Sequence, residues 1–257
     1  MRYWSACGRP GVDTTFDEGQ MKVGRRLAIK VLNASKFVLS RVGDVPDGGT
    51  SGAAVTAPLD QAMLAGLADL VDEATAAFEG YDYARALERT EAFFWRFCDD
   101  YLELVKGRAY GSQGPEAQAS ADRALGLALS TILRLFAPFL PFVTEEVWSW
   151  WQEGSVHGAA WPAGAELRGA AATAGGPGAD RSVLDVAAAV LGEVRKAKSE
   201  ARQSMRAEVR LAVVSDTPER LAALRLVAAD VTEAGRIAEL ATEEAADLAV
   251  KVELAEG

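Results

Sequence analysis

Residues 137–148 read APFLPFVTEEVW, and their reading decides the fold. Pro138 and Pro141 each lack a backbone N–H and disfavour helical geometry in the residue before them, so a helix over residues 125–136 must stop or kink there. Thr144 then falls where an N-cap is expected. Glu145 and Glu146 follow in the first turn, where negative charge suits the helix dipole, and Trp148, Trp150 and Trp151 come next. Read plainly, the segment is a helix break followed by aromatic core filler. It marks a helical bundle more than it supplies a contact surface.

Working outward, residues 20–40 carry helical spacing, with Met21, Leu27, Ile29, Val31, Leu32, Phe37 and Val38 as the apolar set. A Gly/Pro/Ser/Thr-rich break at 43–58 precedes a second helix at 59–78. Residues 83–106 read as a third helix, and its aromatic middle, Phe93, Phe94, Trp95, Phe97 and Tyr101, implies burial on more than one side. A fourth helix spans 116–136. After Trp151 the composition changes. Residues 154–179 are loop-rich, and GAAATAGGPGA at 169–179 is low-complexity. A helix at 181–205, a strand at 208–214, a helix at 218–235 and short strands at 236–240 and 249–254 complete the chain. The fold class is therefore mainly α, a helical bundle followed by a small α/β appendix.

The 257 residues, 49% of them hydrophobic, suffice for one large domain or two modest ones. No run of about 18 apolar residues predicts a membrane span, and MRYWSACGRP does not read as a signal peptide, so a cytoplasmic protein with no membrane partner is expected. Cys7 and Cys98, with the single histidine His157, form neither a zinc set nor a disulfide framework; two buried or half-buried thiols are expected, with no metal and no cofactor. Asp99 with Asp100 and Glu145 with Glu146 point to different helix faces, so neither pair reads as a general acid and base, and no catalytic residue is assigned.

The net charge of −10 is unevenly spread: residues 1–43 carry a balance of +5 and the remainder −15. Between positions 19 and 43 there are six basic residues and no acid, the footprint a phosphate backbone needs. Lys22, Arg26, Lys30 and Asn33 are spaced to lie along one helix face, with Arg25 and Lys36 nearby. Asn33 offers a donor and an acceptor to a base edge, and Phe37 a ring for an unpaired base. The competing readings are a solubilising face for the cations, a packing hydrogen bond for Asn33 and a core position for Phe37. Lys106 and Arg108 read as helix C-terminal charges. Residues 196–200, KAKSE, read as a solvated face. His157 and Trp161 are expected to pin their loop to the bundle.

Four stretches carry a family resemblance: RYWSACGRPGVDTTFDEGQMKVGRRLAIKVLNASKFVL, YDYARALERTEAFFWRFCDDYLELVKGRAYG, LRLFAPFLPFVTEEVWSWW and EVRKAKSEARQSMRAEV. Together they resemble the anticodon-binding bundle and C-terminal part of valyl-tRNA synthetases, class I aminoacyl-tRNA synthetases. The resemblance implies a run-in from a catalytic domain at 1–18, an anticodon-binding bundle at 19–152, a loop-rich connection at 153–180 and the appendix at 181–257. It implies tRNA, valine tRNA in particular, as partner, with Lys22, Arg25, Arg26, Lys30, Asn33, Lys36 and Phe37 as contacts. A synthetase catalytic domain is a further expected partner.

Arg202 and Arg206, interleaved with acids, either flank the anticodon stem or form intrahelical pairs. The HIGH- and KMSKS-type motifs and the editing domain of the family are not found in this sequence, so the chain is expected not to be an enzyme on its own. The alternative is an interaction bundle that has kept the fold and lost RNA binding.

Overall fold

The computed structural model of the chain describes residues 1–9, 11–43, 54–172 and 180–255. Most of the break expected at 43–58 and of the low-complexity run at 169–179 lies outside those residues. The chain forms two compact units. The first holds Met1–Val55, Leu64–Arg96 and Asp122–Ala170; the second holds Thr56–Met63, Phe97–Ala121 and Ala171–Gly257.

The first unit is helical. Its elements are α1 (Arg2–Ala6), α2 (Glu18–Val42), most of α3 (Pro58–Glu79), α4 (Tyr83–Arg96), the larger part of α6 (Pro115–Phe136), α7 (Pro141–Trp148) and α8 (Gly164–Ala171). Asp17 caps α2, its Oδ1 accepting from the N–H of Gly19 at 2.7 Å and of Gln20 at 3.3 Å. Leu27, Val31, Ala34, Val38 and Val42 recur at helical spacing and are buried, which fixes the inward side of α2. The aromatic core pairs Phe94 edge-on with Phe136 at 5.4 Å and stacks Phe78 on Phe139 at 5.7 Å.

The helix break reads differently from expectation at one residue. Pro141, not Thr144, opens α7: the proline occupies the first turn, where its missing N–H costs nothing. Thr144 is an interior residue, fully buried, and its hydroxyl donates back to the carbonyls of Leu140 at 3.0 Å and Pro141 at 3.2 Å. Glu145 holds the following loop by accepting from Ser155 Oγ at 2.9 Å and the N–H of Val156 at 3.0 Å. The loop is pinned as expected, with Trp161 Nε1 donating to Thr75 Oγ1 at 2.9 Å and His157 Nε2 3.2 Å from the Pro141 carbonyl. Within the stretch read as loop, residues 164–171 form α8, whose Gly- and Ala-rich sequence has little periodic signal.

The second unit contains the expected appendix. Its helical segments are the start of α3, a π-turn (Phe97–Tyr101), α5 (Leu102–Ala109), the start of α6, α9 (Ser182–Glu200), α10 (Pro218–Leu226) and α11 (Ala228–Gly235). Residues 83–106 were expected as one helix. The π-turn divides them, and Phe97 stacks on Tyr101 within it at 5.6 Å.

Strands β1 (Val209–Asp216), β2 (Ile237–Glu244) and β3 (Ala249–Leu254) make a sheet in the order β2-β1-β3. β1 runs parallel to β2 and antiparallel to β3. A parallel pair needs a crossover, and α10 and α11 supply it. Thr217 caps α10, Pro218 occupies its first turn, and the chain breaks at Val227 where one helix was expected.

A buried charge cluster ties the second unit together. Arg108, Asp60 and Asp230 are 2%, 0% and 5% exposed. The guanidinium grips Asp60 with both terminal nitrogens, at 2.7 and 2.8 Å, while its Nε donates to Asp230 at 2.7 Å. Tyr101 and Ser120 also donate to Asp60, at 2.9 and 2.7 Å. Ser120 Oγ in turn accepts from the N–H of Thr56 and Ala57. Arg108 lies in the last turn of α5, the helix-end position expected, but it is buried and serves as an internal anchor through its two aspartates.

Candidate nucleic-acid interface

At about 100° per residue, Lys22, Arg25, Arg26, Lys30, Asn33, Lys36 and Phe37 fall on an arc of roughly 140° of α2. The buried stripe through Leu27, Val31 and Val38 lies opposite. Lys22, Arg25, Arg26, Asn33 and Lys36 are exposed; Lys30 and Phe37 are half-buried. The only acid on the helix is Glu18, in the first turn, where it complements the dipole. The face is thus cationic over its whole length beyond that turn.

Lys30 is held by a neighbour that sequence spacing does not reveal. Its Nζ lies 5.5 Å from the centroid of the Trp95 ring, a cation–π contact. Trp95 Nε1 donates to Glu91 Oε1 at 3.1 Å, and the other carboxylate oxygen accepts from Tyr3 OH at 2.5 Å. Burial, and then the hydrogen bond to Glu91, raise the Tyr3 phenol above its ordinary range, so it stays a donor. The Tyr3 side chain fits because position 24 is glycine: a Cβ there would overlap the tyrosine. Tyr3, Gly24, Glu91 and Trp95 thus orient the middle of the cationic face from beneath.

Arg202 and Arg206 belong to the second unit, on the turn that follows α9, and both are exposed. Of the basic residues before them, Lys196 pairs with Glu193 at 3.3 Å. Arg195 reaches off its helix to the Asp99 carbonyl at 2.8 Å and to Glu103 at 3.6 Å. Lys198 departs from the solvated face expected of 196–200, being 2% exposed. Cys7 is exposed, against expectation, and Cys98 is buried. Among the described residues no group of His, Cys, Asp and Glu is placed to hold a metal ion, and no helix is long and apolar enough to cross a membrane.

Residues 60–213, more than half of the chain, match the family model described as the anticodon-binding domain of tRNA ligase. The chain belongs to this family. The match starts after α2, whereas whole-chain relatives include that helix. The chain is 59% identical to the valine–tRNA ligase of Thermobifida fusca over 257 residues, covering 99% of this chain and 28% of that protein. It is 56% identical to the valine–tRNA ligase of Salinispora tropica, covering 95% and 29%, and 52% identical to that of Leifsonia xyli subsp. xyli, covering 97% and 28%. The chain therefore spans less than a third of the length of the curated relatives it matches. For the anticodon-binding family, a mainly helical bundle with a small three-stranded sheet is the architecture observed here.

Proposed function

We propose that the chain binds the anticodon arm of valine tRNA, with residues 19–152 as the gripping bundle and the cationic face of α2 as its principal contact. Lys22, Arg25, Arg26 and Lys36 meet backbone phosphates, Lys30 is aimed by Trp95, Asn33 reads a base edge and Phe37 stacks on an unpaired base. Arg202 and Arg206 add contacts from the second unit. The role is placement of tRNA, while adenylate chemistry rests on HIGH- and KMSKS-type motifs that this sequence does not contain. The observation that carries the reading is the arc of α2 from Lys22 to Phe37, which holds no acid and whose Lys22, Arg25, Arg26, Asn33 and Lys36 are exposed. Family membership and the printed names of the relatives supply tRNA and valine.

The test is binding of the full chain to valine tRNA and to a non-cognate tRNA across a salt series. Binding to valine tRNA should be the tighter, and log K should fall linearly with log salt, by about 0.7–0.9 per phosphate neutralised. Arg26→Glu with Lys30→Glu should abolish it. Absence of binding at low salt, or affinity unmoved by the double variant, would refute the proposal.

A further inference from the structure

The sheet of the second unit has two edges that differ in chemistry. β2 lies at one edge and β3 at the other, each bonded to the central β1. The charged residues of β2 are Glu239, Glu243 and Glu244, with no cation among them. A second copy of β2 added there would set like charges against each other. β3, AVKVEL, instead alternates Val250, Val252 and Leu254 with Lys251 and Glu253. It therefore carries both signs of charge on one face and branched apolar side chains on the other.

Register fixes which groups of β3 are open. The N–H of Ala255 donates to the carbonyl of Glu208, just before β1, at 3.0 Å, so the backbone at 255 turns toward β1. Alternation then turns residues 253, 251 and 249 the same way and leaves the N–H and C=O groups of Val250, Val252 and Leu254 pointing out of the sheet. Val252 and Val250 stand opposite Ala212 and Val214 of β1. Those two β1 residues are fully buried, whereas Val250, Val252 and Leu254 are only half-buried. On the other face Lys251 and Glu253 are exposed; Glu253 meets Arg210 of β1, and Lys251 makes no ion pair among the described residues. An open ladder, incompletely covered apolar side chains and an unpaired cation thus coincide on one strand.

Parity and charge limit what can add to this edge. In an antiparallel pair an outward-pointing residue must face another, so two copies of β3 meet with Val250, Val252 and Leu254 opposite one another. Centring the pair on Lys251 or on Glu253 sets that charge directly opposite itself. Centring it on Val252 sets each Lys251 opposite the other copy's Glu253, each Val250 opposite Leu254 and Val252 opposite itself. The charges are then matched, and the three outward pairs exchange about six backbone hydrogen bonds.

We propose that β3 is a self-complementary edge to which a second copy of this chain adds antiparallel, about a two-fold axis at Val252, joining the two sheets into one. The contact is isologous, each Lys251 meeting Glu253 of the other copy, so it closes at two chains. The outer edges of the joined sheet are the two β2 strands, whose glutamates repel further addition. A lone lysine in an edge strand ordinarily keeps other strands away; Glu253, two residues on, makes it half of a matched pair. No residue of β3 takes part in the tRNA contacts described above, so the pairing stands apart from them.

Sedimentation equilibrium of the full chain over a concentration series tests the pairing, with reductant present so that the exposed Cys7 does not crosslink copies. The wild type should pass reversibly from the mass of one chain to that of two, with no larger species. Lys251→Glu sets glutamates opposite each other at both symmetric positions and should weaken association about tenfold or more. Adding Glu253→Lys to that variant restores opposite charges in the same register and should recover most of the loss. Val252→Pro removes an outward N–H, leaves the bonds to β1 in place and should give a folded single chain. These positions are exposed or half-buried, and circular dichroism checks that each variant keeps the fold. The pairing is overturned by a wild type that stays single up to about 1 mM, by association unmoved in Lys251→Glu or Val252→Pro, or by a double variant no better than Lys251→Glu alone.

Discussion

Asp60 and Asp230 face the same guanidinium, yet the two carboxylates should respond unequally to loss of charge. Asp60 accepts four hydrogen bonds: from Arg108 and Tyr101 on one oxygen, and from Arg108 and Ser120 on the other. Asp60→Asn sets an NH2 against two of these donors in either flip state. Ser120 cannot relieve the conflict, because its lone pairs already accept the N–H groups of Thr56 and Ala57. The variant also leaves Arg108 without its bidentate counter-ion. A broken buried pair costs about 3–5 kcal/mol, and that is the destabilisation expected for the second unit.

Asp230→Asn keeps an amide oxygen that can accept from Arg108 Nε and Gln113, and it leaves one cation facing one anion. Its expected effect is within about 1 kcal/mol of zero. Burial raises the Asp230 carboxyl, Arg108 opposes the rise and Asp60 adds to it. The folded form therefore holds a proton that the unfolded form releases first. Stability should fall as pH climbs from the ordinary carboxylate range to the raised value, and Asp230→Asn should flatten that fall. All six tryptophans lie in the first unit, so fluorescence reports the wrong region. Hydrogen exchange at amides of α5 and α11 is the suitable assay. Equal costs for the two variants, or a cost below about 1 kcal/mol for Asp60→Asn, would refute the reasoning.

Three further outcomes are expected. Gly24→Ala should force Tyr3 off α2 and destabilise the first unit by about 1–3 kcal/mol in denaturant unfolding followed by tryptophan fluorescence, and an unchanged midpoint would contradict the packing described. A double-mutant cycle of Lys30→Met with Trp95→Leu should return a coupling of about 0.5–1 kcal/mol; zero coupling would remove Trp95 from its orienting role. Glu145→Ala frees Ser155 and the Val156 N–H, and should cost about 1–2 kcal/mol while accelerating exchange of the Val156 amide. Retained protection of that amide would count against the carboxylate as the loop's anchor.

Regular apolar spacing made most of the long helices legible. Residues 20–40, 59–78 and 116–136 were expected helical, and α2, α3 and α6 extend those limits by one or two residues, with Asp17 and Pro115 marking starts. The opening of α7 was misplaced because Thr144 carries the cap chemistry, whereas Pro141 three residues earlier already satisfies the first turn. The π-turn left no periodic trace, since aromatic residues at 93–101 mask the extra residue it inserts.

The seven α2 residues could be placed on one arc from the chain alone, because a helix converts spacing into angle. Trp95 beneath Lys30 could not, as that contact depends on how two helices pack. The helix-end position of Arg108 is legible from spacing, but its burial is not, because its partners lie 48 and 122 residues away.

The buried cluster has a bearing on how this chain can be divided. Its three charges come from three separated stretches, 56–63, 97–121 and 171–257. Severing the chain in the Gly/Ala-rich run near residue 175, the obvious place by composition, would strip the C-terminal piece of Asp60 and Arg108 together and strand Asp230. Shuffling that piece into another protein as a cassette should therefore fail, and its inheritance should be all or none with the helices that precede it.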